Sequence, residues 1–599
     1  MDKNKKRTPA IDYTSRDFSS IRRDLTQIAE RFYPDTFQDF SEASFGAMML
    51  DAVAYVGDQL SFYLDYNVNE SFLDTSYQLD NIIRHGRIMG YKNSGRPSTY
   101  GTVALYVLVP ASETGLGPDQ EYIPVIKRGT RFTSSNGQSF VLTEDVDMSV
   151  TNNPIVVART DPDTGSPTYY AIKSYGKVVS GMFNTETISV GAFQRFRTVR
   201  LANANVSEII SVFDSEGNEY YEVENLSQDT VFKTLTNKNY KNDNVPSVLK
   251  PLLVNRKFVT VFGNDGVTLQ FGSGDELSSD IIAEPQSLAV EVFGKSYVTD
   301  TSFDPSRLIS NKYYGIVPQN TTLTVFYRQT NPTNSNVAAG GITTVTNRIV
   351  EFEDITSLNA SEVSFVRNSL EVGNETPIVG NVSNPTSAEV KQRIYDTFPT
   401  QNRAVTQADY ENMIYRMPPK YGSVKRCSVQ RDPDSRRRNL NVYIISEDRN
   451  GNFTQSNSTI KNNLKTWMNN YRMLSDTIDV LDAYIINFGI EFAVQPKKDT
   501  DKFTLVDTCI QKLVTEFNQI KYFIGEPISI SDIYTKLSEV EGVKSVSSVV
   551  IKNKKGDNYS SVSFDINDNT SPDGSSVVIP KNAVAELKFP SVDITGKIR

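Results

Sequence analysis

Between residues 18 and 32 apolar side chains return at steps of three and four, as Phe18, Ile21, Leu25, Ile28 and Phe32. That interval places them on one face of an α-helix, in a stripe narrow enough for a coiled-coil seam rather than a broad core face. Thr14 and Asp17 have capping-box spacing at its start, and Pro34 stops it. A second helix is expected over residues 43–66. It puts Phe45, Met49, Ala52, Val56, Leu60 and Tyr63 on one face, thins the neighbouring side with Ala47 and Ala54 for close approach, and leaves the opposite face polar. A third opens at Thr75 and Gln78, turns Leu79, Ile82 and Ile83 inward, and ends at Gly90. These helices either close on one another as an antiparallel bundle or pack their seams against helices of other chains. Periodicity alone does not choose.

From Pro97 to Val350 the period shortens to that of strands. Arg131–Thr133 and Phe140–Thr143 flank Ser135-Asn136-Gly137, while Ile209–Phe213 and Tyr220–Val223 flank Ser215-Glu216-Gly217-Asn218. Phe258–Phe262 and Val267–Phe271 flank Gly263-Asn264-Asp265-Gly266. Each reads as a hairpin. The Gly-, Pro- and Asp-rich stretches 111–120 and 158–168 read as surface loops.

The last part mixes both periods. Thr386 with Glu389 and Thr406 with Asp409 open helices, the second ending before Pro418 and Pro419. Strands are expected at 423–430, 439–446, 484–494 and 543–551, with helices at 503–518 and 531–539. The result is an α+β multidomain chain. Residues 1–96 form an N-terminal helical bundle segment, 97–350 a β-rich middle of one or two domains, and 351–482 an α+β domain. A small C-terminal α+β domain covers 483–552, and 553–599 is a mostly polar extension with Val584, Leu587 and Phe589 near its end.

Composition agrees with several folded domains. A chain of 599 residues exceeds what one core holds and divides into roughly three to five domains. Its 38% hydrophobic and 22% charged content supports cores rather than general disorder. The net charge of -9 repels phosphate, which argues against nucleic acid as a partner. The Lys3, Lys5, Lys6, Arg7 cluster reads as a short solvated tail. Cys427 and Cys509 are too few for a disulfide framework or a zinc site. The N-terminus lacks the apolar core of a signal peptide, and no run of about 18 apolar residues occurs. Synthesis and retention in the cytosol are expected, without membrane contact.

Reactive groups are scarce. The one histidine, His85, falls near the end of the third helix, where an imidazole favours the dipole; histidine being the commonest general base, this argues against a large hydrolase. No HExxH, GxSxG or Walker motif is present. Asp51, Asp58 and Asp65 repeat along one side of the second helix without converging on a cleft, as a glycosidase would need. Asp161, Asp163, Gly165 and Asp565, Asn567, Asn569 begin like calcium loops, but Ile172 and Ser576 stand where the bidentate Glu belongs. Both read as turns. FGSGDEL at Phe271–Leu277 lacks the third glycine of a phosphate cradle, and Arg436–Arg438 read as a solvated hairpin tip. No catalytic residue, metal or cofactor is expected.

The segments IDYTSRDF at Ile11–Phe18, the block Phe45–Tyr91 ending HGRIMGY, IKRGTRF at Ile126–Phe132, FGSGDEL, and SNVAAGGI at Ser335–Ile342 recur together in a known pattern. So do Asn402–Val429, with Arg403, Thr406, Asp409, Tyr410 and Glu411, and Gly525–Ile551 with ISDIYTKLSEVEGVKSV. Together they resemble the baseplate J-like family, and the N-terminus is similar to its wedge proteins of T-even-type myovirus baseplates. Arg403 stands one residue closer to Thr406 than in the family's Arg-x-x-x-Thr-x-x-Asp-Tyr-Glu segment, and FGSGDEL departs from the commoner FGDG form.

The resemblance implies a structural role in the virion's tail baseplate, with assembly in the host cytoplasm. In such wedges the N-terminal helices join those of a second copy and a related wedge partner in a heterotrimeric bundle. A small lysozyme-like-fold wedge protein docks nearby, and C-terminal domains meet neighbouring wedges in a ring around the hub, whose rearrangement is linked to sheath contraction. It makes Phe18, Ile21, Leu25, Ile28, Phe45, Met49, Ala52, Val56 and Leu60 the expected inter-subunit surface. A receptor-binding fibre or adhesin would show shaft repeats, which are absent. A polysaccharide-degrading tail enzyme would need convergent carboxylates.

Overall fold

The computed structural model describes residues 17–33, 44–92, 97–112, 116–236, 247–263, 266–274, 314–330, 335–383, 385–435, 439–498, 500–556 and 558–599. Thr14, Pro34, the Lys3–Arg7 cluster, the 264–265 turn, the last three residues of FGSGDEL (275–277) and Arg436–Arg438 lie outside the described residues. The architecture is α+β: N-terminal helices, β-rich middle layers and an α+β C-terminal region. It divides into two compact units, residues 1–91 with 385–398, and the rest.

In the first unit, α1 (Phe18–Phe32) starts from Asp17, whose carboxylate accepts the Ser20 N–H at 3.3 Å. Helix α2 (Phe45–Glu70) starts from Ser44, whose hydroxyl accepts the Ala47 N–H, and runs four residues beyond the expected end. Ala47, Asp51, Ala54 and Gly57 follow one another at helical spacing along one side of α2. Ala47 and Ala54 are buried. A Cβ at Gly57 would stand 3.2 Å from Ile21 Cδ1, so the missing side chain is what lets α1 approach. Arg22 Nε reaches Asp51 at 2.6 Å across the same contact.

Helix α3 (Leu79–Ile88) is capped differently from the expected Thr75 and Gln78 pair. Gln78 is the N-cap but accepts no side-chain bond, and Thr75 turns back to donate to the Asn69 carbonyl. The Glu70 carboxylate does the capping, accepting the Tyr77 N–H and the Asn81 side-chain N–H at 2.8 Å each. Leu73, Ile82 and Tyr91 pack with Val390 and Ile394 of the Ser387–Thr400 helix. Gly86 permits that contact, because a Cβ there would lie 2.8 Å from Ile394 Cδ1.

The second unit is layered. One antiparallel sheet orders its strands 342–347, 131–134, 139–142, 167–180, 100–110 and 371–373, with 155–160 also paired to 167–180. The Ala360–Asn368 helix covers it through Val363 and Val366. Residues expected in an α+β domain from 351 onward thus include a helix and a strand of this first sheet. A second sheet orders 182–190, 321–329, 206–213, 219–222, 257–263, 266–271 and 198–200 around its own core. The three expected hairpins are all present. The 158–168 stretch is shorter as a loop than expected: Ile155–Thr160 and Pro167–Ser180 pair, and only 161–166 turns.

Beyond Val379, strands 426–431, 439–447 and 477–482 carry the Gln407–Tyr415 and Ser458–Met468 helices. Strand 484–496 then organises the last core with the Lys502–Gln519 and Ile530–Ser538 helices. The residues read as a polar extension belong to that core. Ala583–Glu586 and Ile594–Ile598 both pair in parallel with strand 484–496, with Val584, Ala585 and Ile594 buried. Strands this short, filled in one case by alanines, leave too little periodicity to be seen.

Candidate assembly surface

Helix α2 is the place where burial and residue type disagree. Its only buried side chains are Ala47, Ala54 and Glu70. Phe45, Val56 and Leu60 are 72%, 55% and 58% exposed; Met49 and Ala52 are exposed as well. So are Met48, Val53, Tyr55, Phe62, Tyr63, Leu64 and Val68, most of which no single seam contains. The side opposite the expected seam is therefore not uniformly polar. Polar and small residues share one strip with Asp51, Asp58 and Asp65, and α1 docks on that strip. A 26-residue helix whose apolar positions overflow one stripe was the available signal, since a helix hydrophobic over most of its circumference belongs in a core.

On α1, Phe18, Ile21 and Leu25 are half-buried and Ile28 is exposed. Helix α2 thus turns its small face to α1, which meets it with Ile21, and keeps its large apolar face outward. Tyr77 and Ile88, each 84% exposed, add to the apolar area of this unit. Singly exposed apolar residues are ordinary, whereas a contiguous apolar patch marks an interaction site.

The Arg403–Glu411 segment is built for position. Thr406 and Asp409 form a complete capping box at the start of the Gln407–Tyr415 helix. Tyr410 is buried and its hydroxyl donates to Asp476 at 2.7 Å; burial first, and then that carboxylate, push the hydroxyl up to about 12. Glu411 accepts the Val429 N–H at 3.0 Å, fastening the helix to strand 426–431. Arg403 is exposed, and its guanidinium donates to the Gln401 side chain at 3.2 Å. Thr406→Ala is expected to cost about 1 kcal/mol in urea denaturation, the usual loss for an N-cap; no measurable loss would remove the box from the account of this segment.

SNVAAGGI is likewise a brace. The Asn336 side chain donates to the carbonyls of Asn381 and Glu447 at 2.8 and 2.7 Å, and Asn374 holds Ala338 and Ile342. His85 sits in the last turn of α3 with Nε2 2.8 Å from the Glu70 carbonyl; a carbonyl only accepts, so Nε2 carries the proton. Asp161 and Asp565 each accept N–H groups two residues on, as turn carboxylates do. Cys427 and Cys509 are buried and unbridged. A small cleft is lined in part by Phe453, Lys521, Glu586 and Lys588. Burial raises the Glu586 carboxyl, but its oxygens already accept from Phe453 N–H and Asn487 at 2.6 and 2.9 Å. Among the described residues no group of three or more His, Cys, Asp or Glu could hold a metal, and no helix is long and apolar enough to cross a membrane.

Residues 17–88, which hold α1, α2 and α3, match the family model described as bacteriophage baseplate protein, N-terminal domain. No curated protein matches the chain. Among solved structures, the baseplate of the anti-feeding prophage aligns over 94% of this chain and 90% of its own, at 10% identity and a TM-score of 0.26. The type VI secretion TssK-TssF-TssG baseplate subcomplex aligns over 73% and 96%, at 9% identity and a TM-score of 0.25.

Proposed function

We propose that this chain is a non-catalytic structural subunit of a contractile phage-tail baseplate, of the J-like wedge type, located in the virion tail. The observation that carries the reading is the apolar arc of α2, left in solvent by a chain that docks its own α1 on the small face instead. It lies within the segment matching a phage baseplate N-terminal domain. Helices of a second copy and of a wedge partner cover that arc in a heterotrimeric bundle. The small lysozyme-like-fold wedge protein docks beside it, and the C-terminal domain meets neighbouring wedges in the ring that relays the signal for sheath contraction. Capping and bracing are the roles open to the conspicuous polar residues, so the work is done by interfaces.

Size-exclusion chromatography with light scattering tests this. Alone, the chain should show weak, concentration-dependent self-association; co-expressed with its wedge partner, it should move wholly into a stable hetero-complex. A tight monomer indifferent to every baseplate protein would overturn the proposal.

A further inference from the structure

The second sheet is an insertion in the first. Its strands run from Met182 to Gln329, whereas the flanking strands Pro167–Ser180 and Ile342–Asn347 lie in the first sheet. Entry and exit return to one place, because Met182 pairs with Gln329. The buried apolar clusters of the two sheets share no residue. At the root the link is polar.

Arg328, 0% exposed, stands at the end of the exit strand. Its Nε donates to the Glu208 carboxylate within the insertion at 2.9 Å. Its Nη1 donates outside the insertion, to the Ser180 carbonyl at 2.7 Å and the Ser98 hydroxyl at 2.9 Å. Beside it the Ser180 N–H donates to the Thr99 carbonyl, and the Thr99 N–H to the Ser180 hydroxyl. Gly181, at φ +111, packs so tightly that a Cβ would lie 2.2 Å from the Gln329 carbonyl oxygen. Among the described residues, Arg328 Nη2 and the buried hydroxyls of Ser207 and Thr330 have no hydrogen-bond partner. Ser207 precedes Glu208 in the chain, and the Thr330 N–H donates to the Asn205 carbonyl at 2.9 Å.

From this geometry we infer that the root is an articulation: the insertion turns as a body on its two connecting strands, and Arg328 is the latch that holds one setting. Apolar contact is non-directional and yields gradually, but a buried guanidinium cannot shed its charge and is costly to leave unpaired. The root therefore keeps its bonds or gives them up together. Holding is then all-or-none, a discrete latch rather than a soft joint. This holds whatever chains assemble with the protein.

Hydrogen exchange of the full chain, read by mass spectrometry, tests the latch in Arg328→Met. The amides of Thr99, Ser180 and Thr330 should exchange roughly 10- to 100-fold faster, the equivalent of one charge-assisted bond. Peptides inside either sheet, 103–109 and 321–327, should keep their protection. If 321–327 speeds up with the root, Arg328 is a brace for its own sheet; if no amide speeds up, there is no latch. Either result overturns the inference. Should Arg328→Met fail to fold, Ser98→Ala removes one acceptor of the guanidinium and is read at the same amides, where faster exchange supports the latch and an unchanged rate overturns it.

Discussion

Replacing Val56 and Leu60 together by aspartate is expected to abolish hetero-complex formation while leaving the chain folded. Both side chains are more than half exposed in the isolated chain, so polar substitutes meet water there and the fold loses little. In a helical bundle the same positions would be covered. Burying one such side chain is worth about 1.5–3 kcal/mol, and a carboxylate in the seam adds its own desolvation cost. Losing about 3–6 kcal/mol for the pair weakens binding roughly 10²- to 10⁴-fold. Circular dichroism should match wild type while light scattering reports a chain that no longer joins its partner. Normal wedge assembly by the double variant would refute the assignment of this face.

The choice of positions follows from how α1 and α2 divide their surfaces. Leu25 is half-buried on α1, so an aspartate there would strike the chain's own packing as well as any partner. The intramolecular contact runs through Ala47, Ala54 and Gly57, with Arg22 and Asp51 bridging it. Small residues allow helices to approach closely but bury little area. Helix α2, joined in that way with its large side chains facing out, holds most of its burial in reserve for another surface.

Local signals were readable from sequence and long-range ones were not. The Thr406 and Asp409 box spans four residues, and it forms as its spacing predicts; Tyr410 and Met413 then turn inward because helical geometry leaves them no other side. Helix α3 is the counter-example. Its cap comes from Glu70, eight residues before Gln78 and across a turn, and no short motif encodes that reach. The strands Ala583–Glu586 and Ile594–Ile598 were hidden for a related reason, since their partner lies about a hundred residues earlier and supplies the core they complete. On α2 the apolar seam was legible, yet its exposure was not. Periodicity says which residues share a face and is silent on what covers it.

Glu447→Ala is expected to destabilise the second unit by about 3–5 kcal/mol, the cost of breaking a buried ion pair from one side. The Lys425 and Glu447 side chains are 7% and 1% exposed, with Nζ and Oε1 3.3 Å apart. The same carboxylate accepts the Ser383 N–H at 2.6 Å and the Ser383 hydroxyl at 3.0 Å. Removing it takes this countercharge from an ammonium group that also donates to the neutral Ser383 carbonyl and hydroxyl, and leaves the Ser383 N–H without its acceptor. By contrast, Lys425→Met with Glu447→Leu should come within roughly 1 kcal/mol of wild type apart from the lost Ser383 bonds, because apolar residues of similar volume avoid both desolvation penalties. A urea-denaturation cycle over the two single variants and the double measures the coupling. A loss under about 1 kcal/mol for Glu447→Ala would mean that water reaches Lys425, and the pair would then not be what holds Ser383 to strand 439–447.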